Sequence, residues 1–173
     1  MSFLSRLTDA VRSVLAPGRA GTAPAGPDLT DSPGRAGPSA TVEVDPRRVG
    51  KVRMTYSPSR DGAPDPGEIV WTWVPFEERD GRGKDRPVLV VAAEPRGSYL
   101  AVQLTSKAHR DADFVPIGSG SWDAAGRPSW VNIDRVFRVH SGGMRRETAG
   151  LPAPAFASVQ ARLQQRYDWS AGL

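Results

Sequence analysis

Apolar and polar positions alternate with a period of two along the middle of the chain, a pattern that predicts β-strands. The segment from Glu68 to Val74 carries apolar side chains on both of its alternating faces, so we expect this strand to be covered on both sides. Further strands are predicted at Val88–Ala92, Tyr99–Leu104, Phe114–Ile117 and Trp130–Val139. Short, closely spaced strands with glycine-rich turns are typical of a small barrel or a compact sheet.

Two other segments place apolar residues three and four positions apart, as an amphipathic helix does. The first runs from Ser2 to Leu15 and ends before Pro17 and Gly18. The second runs from Ala155 to Tyr167, with Pro154 at a first-turn position where proline is well tolerated. The predicted fold class is therefore mainly β with a C-terminal helix that covers one side of the strands, preceded by a short N-terminal helix.

The stretch between the first helix and the strands has the composition of a flexible linker. Ten of the 22 residues from Pro17 to Pro38 are proline or glycine. The segment therefore has too few apolar side chains to offset the entropy lost when a chain becomes ordered. Val42 to Tyr56 alternates weakly and could form a strand, which Pro46 would restrict to a sheet edge. We therefore predict an amphipathic helix at 1–16, a linker with a possible edge strand at 17–65, and a compact domain at 66–168.

Composition excludes several classes of site. The 173 residues include no cysteine and only two histidines, which rules out thiol chemistry and argues against a histidine zinc site, so no metal or cofactor is expected. The net charge of +4 is compatible with a phosphate-bearing partner without requiring one. No apolar run is long enough to cross a bilayer, and charged residues interrupt the apolar pattern of the N-terminus. We expect a cytoplasmic protein with no membrane partner.

Polar side chains with phosphate chemistry lie at the ends of two predicted strands. Arg86 precedes Pro87, which restricts it to extended backbone, and a guanidinium held in this way can bind a phosphate with two hydrogen bonds. Thr105 and Ser106 end the third strand of the domain and Lys107 follows. The ordinary alternatives are an arginine paired with a nearby carboxylate and a strand-ending turn.

A second group of polar residues lies on the last predicted strand. Strand alternation puts Asp134, Arg138 and His140 on one face and Arg135 on the other. An acid, a guanidinium and an imidazole on one face would suit acid–base chemistry on RNA, whereas an exposed strand face with a local ion pair is the usual case. Among the tryptophans, Trp122 lies in a glycine-rich loop and is the best candidate for an exposed stacking residue.

The order of these motifs resembles the PemK/MazF toxins of type II toxin–antitoxin systems. The shared features are PGEIVW, a variable loop, RPVLVV, a strand that ends in LTSK, a later strand with an Asp134-Arg135 pair, and a final helix. The resemblance covers about 66–165. It implies an SH3-like barrel, usually homodimeric, that cleaves single-stranded RNA without a metal ion and is blocked by a cognate antitoxin.

The resemblance also implies roles for individual residues. Arg86 and Thr105 match the positions of the catalytic arginine and hydroxyl, with Ser106 and Lys107 beside them as substrate-binding residues. Asp134, Arg135, Arg138 and His140 would line the RNA groove. The chain departs from the family pattern where Phe137 stands at a position that many members fill with arginine, and where His140 replaces an aspartate.

Two other hypotheses follow from the parts that the resemblance does not explain. Phe137 and the long N-terminal extension are compatible with a non-catalytic relative that binds RNA, DNA or a partner protein. Alternatively, the helix at 2–15 could occupy the groove of its own domain, as an antitoxin would.

Overall fold

The computed structural model describes residues 32–59 and 62–172, with the backbone alone described for 146–148. The helix predicted at 1–16, and with it the hypothesis that this helix fills the groove, lies outside the described residues.

The described chain consists of nine strands and one α-helix. The order along the chain is β1 (Val42–Val44), β2 (Arg53–Met54), β3 (Glu68–Pro75), β4 (Gly83–Glu94), β5 (Ser98–Thr105), β6 (Phe114–Gly118), β7 (Ser129–His140), β8 (Arg145–Gly150), α1 (Ala153–Tyr167) and β9 (Ser170–Ala171). Short 3-10 turns at Pro95–Gly97 and Ser141–Gly143 lead into β5 and β8. No helix among the described residues is long and apolar enough to span a membrane.

Seven of the strands form one antiparallel sheet in the order β1-β7-β5-β4-β3-β8, and β6 also pairs with β7. The prediction of a mainly β protein with a C-terminal helix is confirmed. Pairings between the described residues leave the sheet open between β1 and β8, so the SH3-like barrel stays a prediction. Strands β2 and β9 form a separate two-stranded parallel ladder.

The sheet is covered on both faces, each with its own apolar core. On one face, the buried side of α1 (Phe156, Val159 and Leu163) packs in a cluster with Leu89 and Leu100. On the opposite face, the second core consists of Val70, Val74, Val88, Val90, Ala101, Phe137, Val139 and Met144. Full burial of a valine, leucine, phenylalanine or methionine side chain contributes roughly 1.5–3 kcal/mol. As expected, β3 is buried on both sides, with only Trp71 and Pro75 partly exposed.

The first described residues of the predicted linker, 32–43, pack against the second face, whereas Val52 and Met54 belong to the first core. Trp73 N donates to Pro33 O at 3.0 Å, and Thr41 N donates to Gly34 O at 2.7 Å. Strand β1 then extends the sheet by pairing with β7, at the register Val42–Arg138, Glu43–Phe137 and Val44–Val136. The segment 32–44 is thus joined to the domain by hydrogen bonds at two places, at the turn near Pro33 and along strand β1.

The prediction of an exposed Trp122 is wrong. Its side chain is buried, and its indole Nε1 donates to Ser129 Oγ at 3.1 Å. Gly120 makes this possible, because a Cβ at that position would lie 2.1 Å from the indole ring. The loop therefore folds its own tryptophan into the first core, a close approach that hydrophobic pattern alone does not reveal.

Candidate functional site: an arginine-lined cavity

A cavity of about 350 Å³ opens at one end of the second face. The sheet contributes Arg86 from β4, Gln103 from β5 and Arg135 from β7. The chain from the end of β3 into the following loop forms the rim, through Pro75, Phe76, Glu77, Glu78 and Arg82. The ladder between β4 and β5 ends at the pair Val88–Gln103, so the cavity forms where these two strands stop pairing.

Arg86 is a half-buried cation in this cavity. Strand alternation puts it on the same face as Val88 and Val90, and the β3–β4 register pairs it with Thr72. Burial lowers the pKa of its guanidinium, and the positive charge of Arg135 lowers it further. Among the carboxylates whose side chains the structure describes, none lies within ion-pair distance of Arg86. The ordinary alternative of an arginine paired with Asp85, Glu77 or Glu78 is therefore not what the structure has.

Arg135 is buried beside Arg86 and, unlike Arg86, is paired. Its Nε donates to Glu43 Oε1 at 3.2 Å, and its Nη2 donates to Glu43 Oε2 and to Pro75 O, both at 2.9 Å. The guanidinium carbon also lies 5.0 Å from the centroid of the Phe137 ring, in cation–π contact. The sheet thus contributes two guanidinium groups to the cavity, and that of Arg135 carries a compensating carboxylate.

A local irregularity in β7 puts Arg135 and Ile133 on opposite faces of the sheet. The β5–β7 register changes from Val102–Val136 to Gln103–Asn132, so three residues of β7 bulge between adjacent positions of β5. Two backbone N–H groups hold the bulge: Ile133 N donates to Asp113 O at 2.8 Å, and Asp134 N donates to the Asn132 side-chain oxygen at 2.9 Å. Ile133 and Val136 both reach the first core although their numbers differ in parity.

Gln103 adds a polar atom without a partner to the wall of the cavity. Its Oε1 is buried and accepts no hydrogen bond from any residue that the structure describes. Leaving a buried acceptor unpaired costs about 1–3 kcal/mol, so such atoms are rare in folded proteins. The amide at this position can donate or accept, so a ligand with either group can satisfy it.

The predicted residues at the end of β5 lie near the cavity but not in its lining. Thr105 is two positions after Gln103 and shares its strand face. Its Oγ1 accepts a hydrogen bond from Lys107 N at 3.2 Å, which is the strand-ending turn considered as the ordinary alternative. Ser106 is partly exposed and Lys107 is exposed in that turn.

The structure separates the other predicted site residues from Arg135. Arg138 pairs with Glu94 through two bonds, Nε to Oε2 at 2.6 Å and Nη2 to Oε1 at 2.8 Å. The hydrogen bond from Arg138 is the main cause that lowers the pKa of Glu94, and the nearby charge of His140 lowers it slightly more. Asp134 is exposed and pairs with Arg166 of α1. Alternation predicted that Arg135 faces away from Arg138, and it does.

Sequence reasoning missed Gln103 and Glu43. Gln103 follows a plain strand pattern and precedes LTSK, so its position beside the motif is the one signal that could have identified it. Glu43 lies in a three-residue strand and reaches a partner 92 positions away, for which the local pattern holds no signal. Three residues do not make a reliable period.

Solved structures of MazF proteins are similar to this chain. MazF (Form-I) from Deinococcus radiodurans is 25% identical, with a TM-score of 0.46 over 60% of this chain and 94% of that one. MazE–MazF (Form-III) from the same organism is 24% identical, with a TM-score of 0.47 over 62% and 99%. An endoribonuclease in complex with its cognate antitoxin from Mycobacterial species is 16% identical, with a TM-score of 0.47 over 60% and 93%.

Comparison with curated proteins gives no match. The model of one protein family matches residues 65–167, which is more than half of the chain and contains β3–β8 and α1. The match includes Arg86, Gln103 and Arg135 and begins after Glu43. The chain therefore belongs to the PemK-like, MazF-like toxins of type II toxin–antitoxin systems.

Proposed function

We propose that this chain is a toxin endoribonuclease that cleaves single-stranded RNA without a metal ion and is neutralised by a cognate antitoxin. The observation that carries the proposal is the half-buried Arg86 guanidinium, which lines a cavity and has no carboxylate partner among the described residues. A desolvated cation of this kind is stabilised when an anion binds to it. Family membership supports a phosphate of RNA as that anion.

The charges around the cavity suit a phosphodiester. A guanidinium presents a planar fork of donors that matches two phosphate oxygens. Arg86 and Arg135 lie close enough for the charge of one to lower the pKa of the other, and a phosphate between them would relieve this repulsion. The exposed carboxylates of Glu77 and Glu78 lie at the rim and would repel anions there. A phosphate would therefore bind deeper in the cavity, at the two arginines.

The proposed reaction is transesterification at phosphorus. The ribose 2′-oxygen forms a bond to the adjacent phosphorus and gives up its proton, while the bond from phosphorus to the 5′-oxygen of the next nucleotide breaks and that oxygen takes up a proton. The products are a 2′,3′-cyclic phosphate and a 5′-hydroxyl. Arg86 would stabilise the negative charge that grows on the phosphate oxygens, a preorganised contribution of the kind that dominates many enzymes.

The remaining predicted residues enter the proposal unequally. Thr105 keeps its proposed role of stabilising the phosphate, because it shares a strand face with Gln103 at the edge of the cavity. Ser106 and Lys107 would contact the RNA backbone from the exposed turn. Arg138 and His140 are left out because Arg138 is committed to Glu94 on the other face, and Asp134 is left out because it pairs with Arg166.

The proposal includes partners and a location. An antitoxin with an acidic or extended segment would complement the arginines of the cavity and would exclude RNA from it. We further propose a homodimer that acts in the cytoplasm, as the resemblance to the family implies. Sedimentation of the purified chain, alone and with a coexpressed antitoxin candidate, measures both assemblies.

The decisive experiment is cleavage of a mixed RNA pool in the presence of EDTA. Wild-type protein should give fragments with 2′,3′-cyclic phosphate ends. The Arg86→Ala variant should cleave about 10²–10³-fold more slowly, the usual cost of removing a donor to the transition state. Arg48→Ala is the matched control, because Arg48 is exposed and pairs with its near neighbour Asp45.

Absence of cleavage by folded wild-type protein across the whole pool would overturn the enzymatic part of the proposal. RNA or DNA binding that weakens with salt, without cleavage, would then support a non-catalytic family relative.

A further inference from the structure

We propose that Glu43, from the N-terminal strand β1, is a positioning residue that holds Arg135 in the phosphate site. The inference deepens the proposed function and rests on it. Glu43 lies before the residues that match the family model, so membership of the family assigns it no role. Its carboxylate nevertheless makes the principal contact of a buried arginine in the cavity.

The donors of Arg135 divide into two sets. A guanidinium has five N–H groups. The Nε hydrogen and one Nη2 hydrogen are used by Glu43, and the other Nη2 hydrogen is used by Pro75 O. The two Nη1 hydrogens make no hydrogen bond within the described ranges. Glu43 therefore fixes one edge of the guanidinium and leaves the other edge available to a ligand in the cavity.

The backbone register sets the position of the carboxylate. Glu43 is directly opposite Phe137 in the β1–β7 ladder, and the guanidinium of Arg135 stacks on the Phe137 ring. Carboxylate, ring and guanidinium thus lie together on the second face of the sheet. Phe137 is fully buried, so the surface on which Arg135 stacks is fixed. Pairing of β1 with β7 places the carboxylate at this point.

Charge explains why the cavity needs such a residue. Two guanidinium groups in one partly desolvated cavity repel each other: burial is the main cause that lowers the pKa of Arg86, and the charge of Arg135 lowers it further. A carboxylate behind Arg135 compensates one of the two charges and leaves Arg86 as the uncompensated cation. Arg79 lies 3.9 Å from the same carboxylate but is largely exposed, so its interaction is weak by comparison.

Binding of inorganic phosphate tests the inference without relying on RNA cleavage. The probe is phosphate titrated into the full chain, followed by NMR at the ¹⁵Nε–H signals of Arg86 and Arg135. Glu43→Gln should shift the Arg135 signal in the free protein and weaken phosphate binding about tenfold or more, as is common when a group behind a ligand-binding residue is lost. Glu43→Asp keeps the charge and should be the milder variant. It also serves as the second variant if Glu43→Gln does not fold.

Glu94→Gln is the matched control. Glu94 is also a mostly buried carboxylate that binds an arginine of β7 through two bonds, but Arg138 lies on the opposite face from the cavity. This variant should leave phosphate affinity unchanged. In an Arg135→Gln background, Glu43→Gln should cause no further loss, because Glu43 acts through Arg135.

Unchanged phosphate affinity in both Glu43 variants would overturn the inference. Tighter binding by Glu43→Gln would overturn it as well, because the carboxylate would then be a competitor of phosphate. The proposed function fails separately, if wild-type protein binds phosphate in a Glu43-dependent way and still cleaves no RNA.

Discussion

The hydroxyl oxygens of Thr41 and Thr72 lie 2.6 Å apart and join the N-terminal segment to the central part of the fold. Thr72 Oγ1 also lies 2.6 Å from Gly143 O, which can only accept, so Thr72 donates to Gly143 and Thr41 donates to Thr72. Both threonines are buried. This short chain of bonds ties the start of the described chain to β3 and to the turn before β8.

Replacement of Thr72 by valine is expected to destabilise the fold by about 1–3 kcal/mol, because it leaves a buried hydroxyl and a buried carbonyl without partners. Urea denaturation gives the free energy of unfolding. Thr55→Val is the control, since the Thr55 side chain makes no hydrogen bond to any residue that the structure describes. The loss of stability in this variant should stay within about 0.5 kcal/mol. Equal losses in the two variants would contradict the hydrogen-bonded chain.

Glycine at position 34 is expected to be required for docking of the N-terminal segment. Its φ is +81°, and a Cβ there would lie 2.3 Å from Thr72 Oγ1 and 2.6 Å from Gly143 O. Gly37 has nearly the same φ, +78°, with nothing within 4 Å of a Cβ. Both alanine variants carry the backbone cost of about 1–2 kcal/mol, so the additional loss in Gly34→Ala measures the steric clash alone. Thermal unfolding should show a lower Tm for Gly34→Ala than for Gly37→Ala, and equal Tm values would argue against the packing described for this segment.

Stability should decrease as the pH falls through the acidic range, and Glu94 should account for part of the decrease. The hydrogen bond from Arg138 lowers the pKa of Glu94 in the folded chain, so the unfolded chain binds more protons and acid favours unfolding. The contribution is fully present above the ordinary glutamate value of about 4.3 and is lost as the pH drops through the folded pKa. Glu94→Gln should therefore be less stable than wild type at pH 7 and should approach wild type as the pH falls through the folded pKa of Glu94. A stability difference that is constant with pH would show that the Glu94 charge contributes nothing.

The proposed role of Thr105 predicts a difference between two substitutions. Thr105→Ser keeps a hydroxyl and should retain most RNA cleavage, whereas Thr105→Val removes it and should slow cleavage about 10²-fold. The turn bond to Lys107 N is solvent-exposed, so neither variant should unfold. Initial rates on one RNA substrate and a far-UV circular dichroism spectrum check both statements. Full activity in Thr105→Val would show that the hydroxyl has no role in cleavage and serves only the turn.

The strands of the domain could be predicted because their apolar side chains repeat over five or more residues. Val88 to Ala92 and the stripe of α1 fall where the pattern places them. The two-residue strands β2 and β9 could not be predicted, since two residues carry no period. The packed turn at 32–41 could not be predicted either, because its proline- and glycine-rich composition is typical of a linker. In the structure this turn packs over β3 and Gly34 is buried.

The candidate site was predictable in part, for reasons that differ from residue to residue. Arg86 was identified by the proline that follows it and by the order of motifs. Comparison with the family pattern suggests that Phe137 replaces a functional arginine, but Phe137 is a fully buried core residue on which Arg135 stacks. Alternation gave the face of Arg135, but the three-residue bulge that puts Ile133 on the opposite face depends on a contact with Asp113 from another part of the chain, which alternation along one strand cannot reveal.

The pairing of β1 with β7 has a consequence for how the protein can be shortened. Removal of residues 1–64, up to the start of the family match, would strip β1 from Val136 to Arg138 and leave their backbone groups at an open sheet edge. Unprotected edges of this kind pair with other chains. A fragment cut at that point should therefore aggregate on expression, whereas a fragment that starts at Ser32 retains its own edge strand and should remain monodisperse.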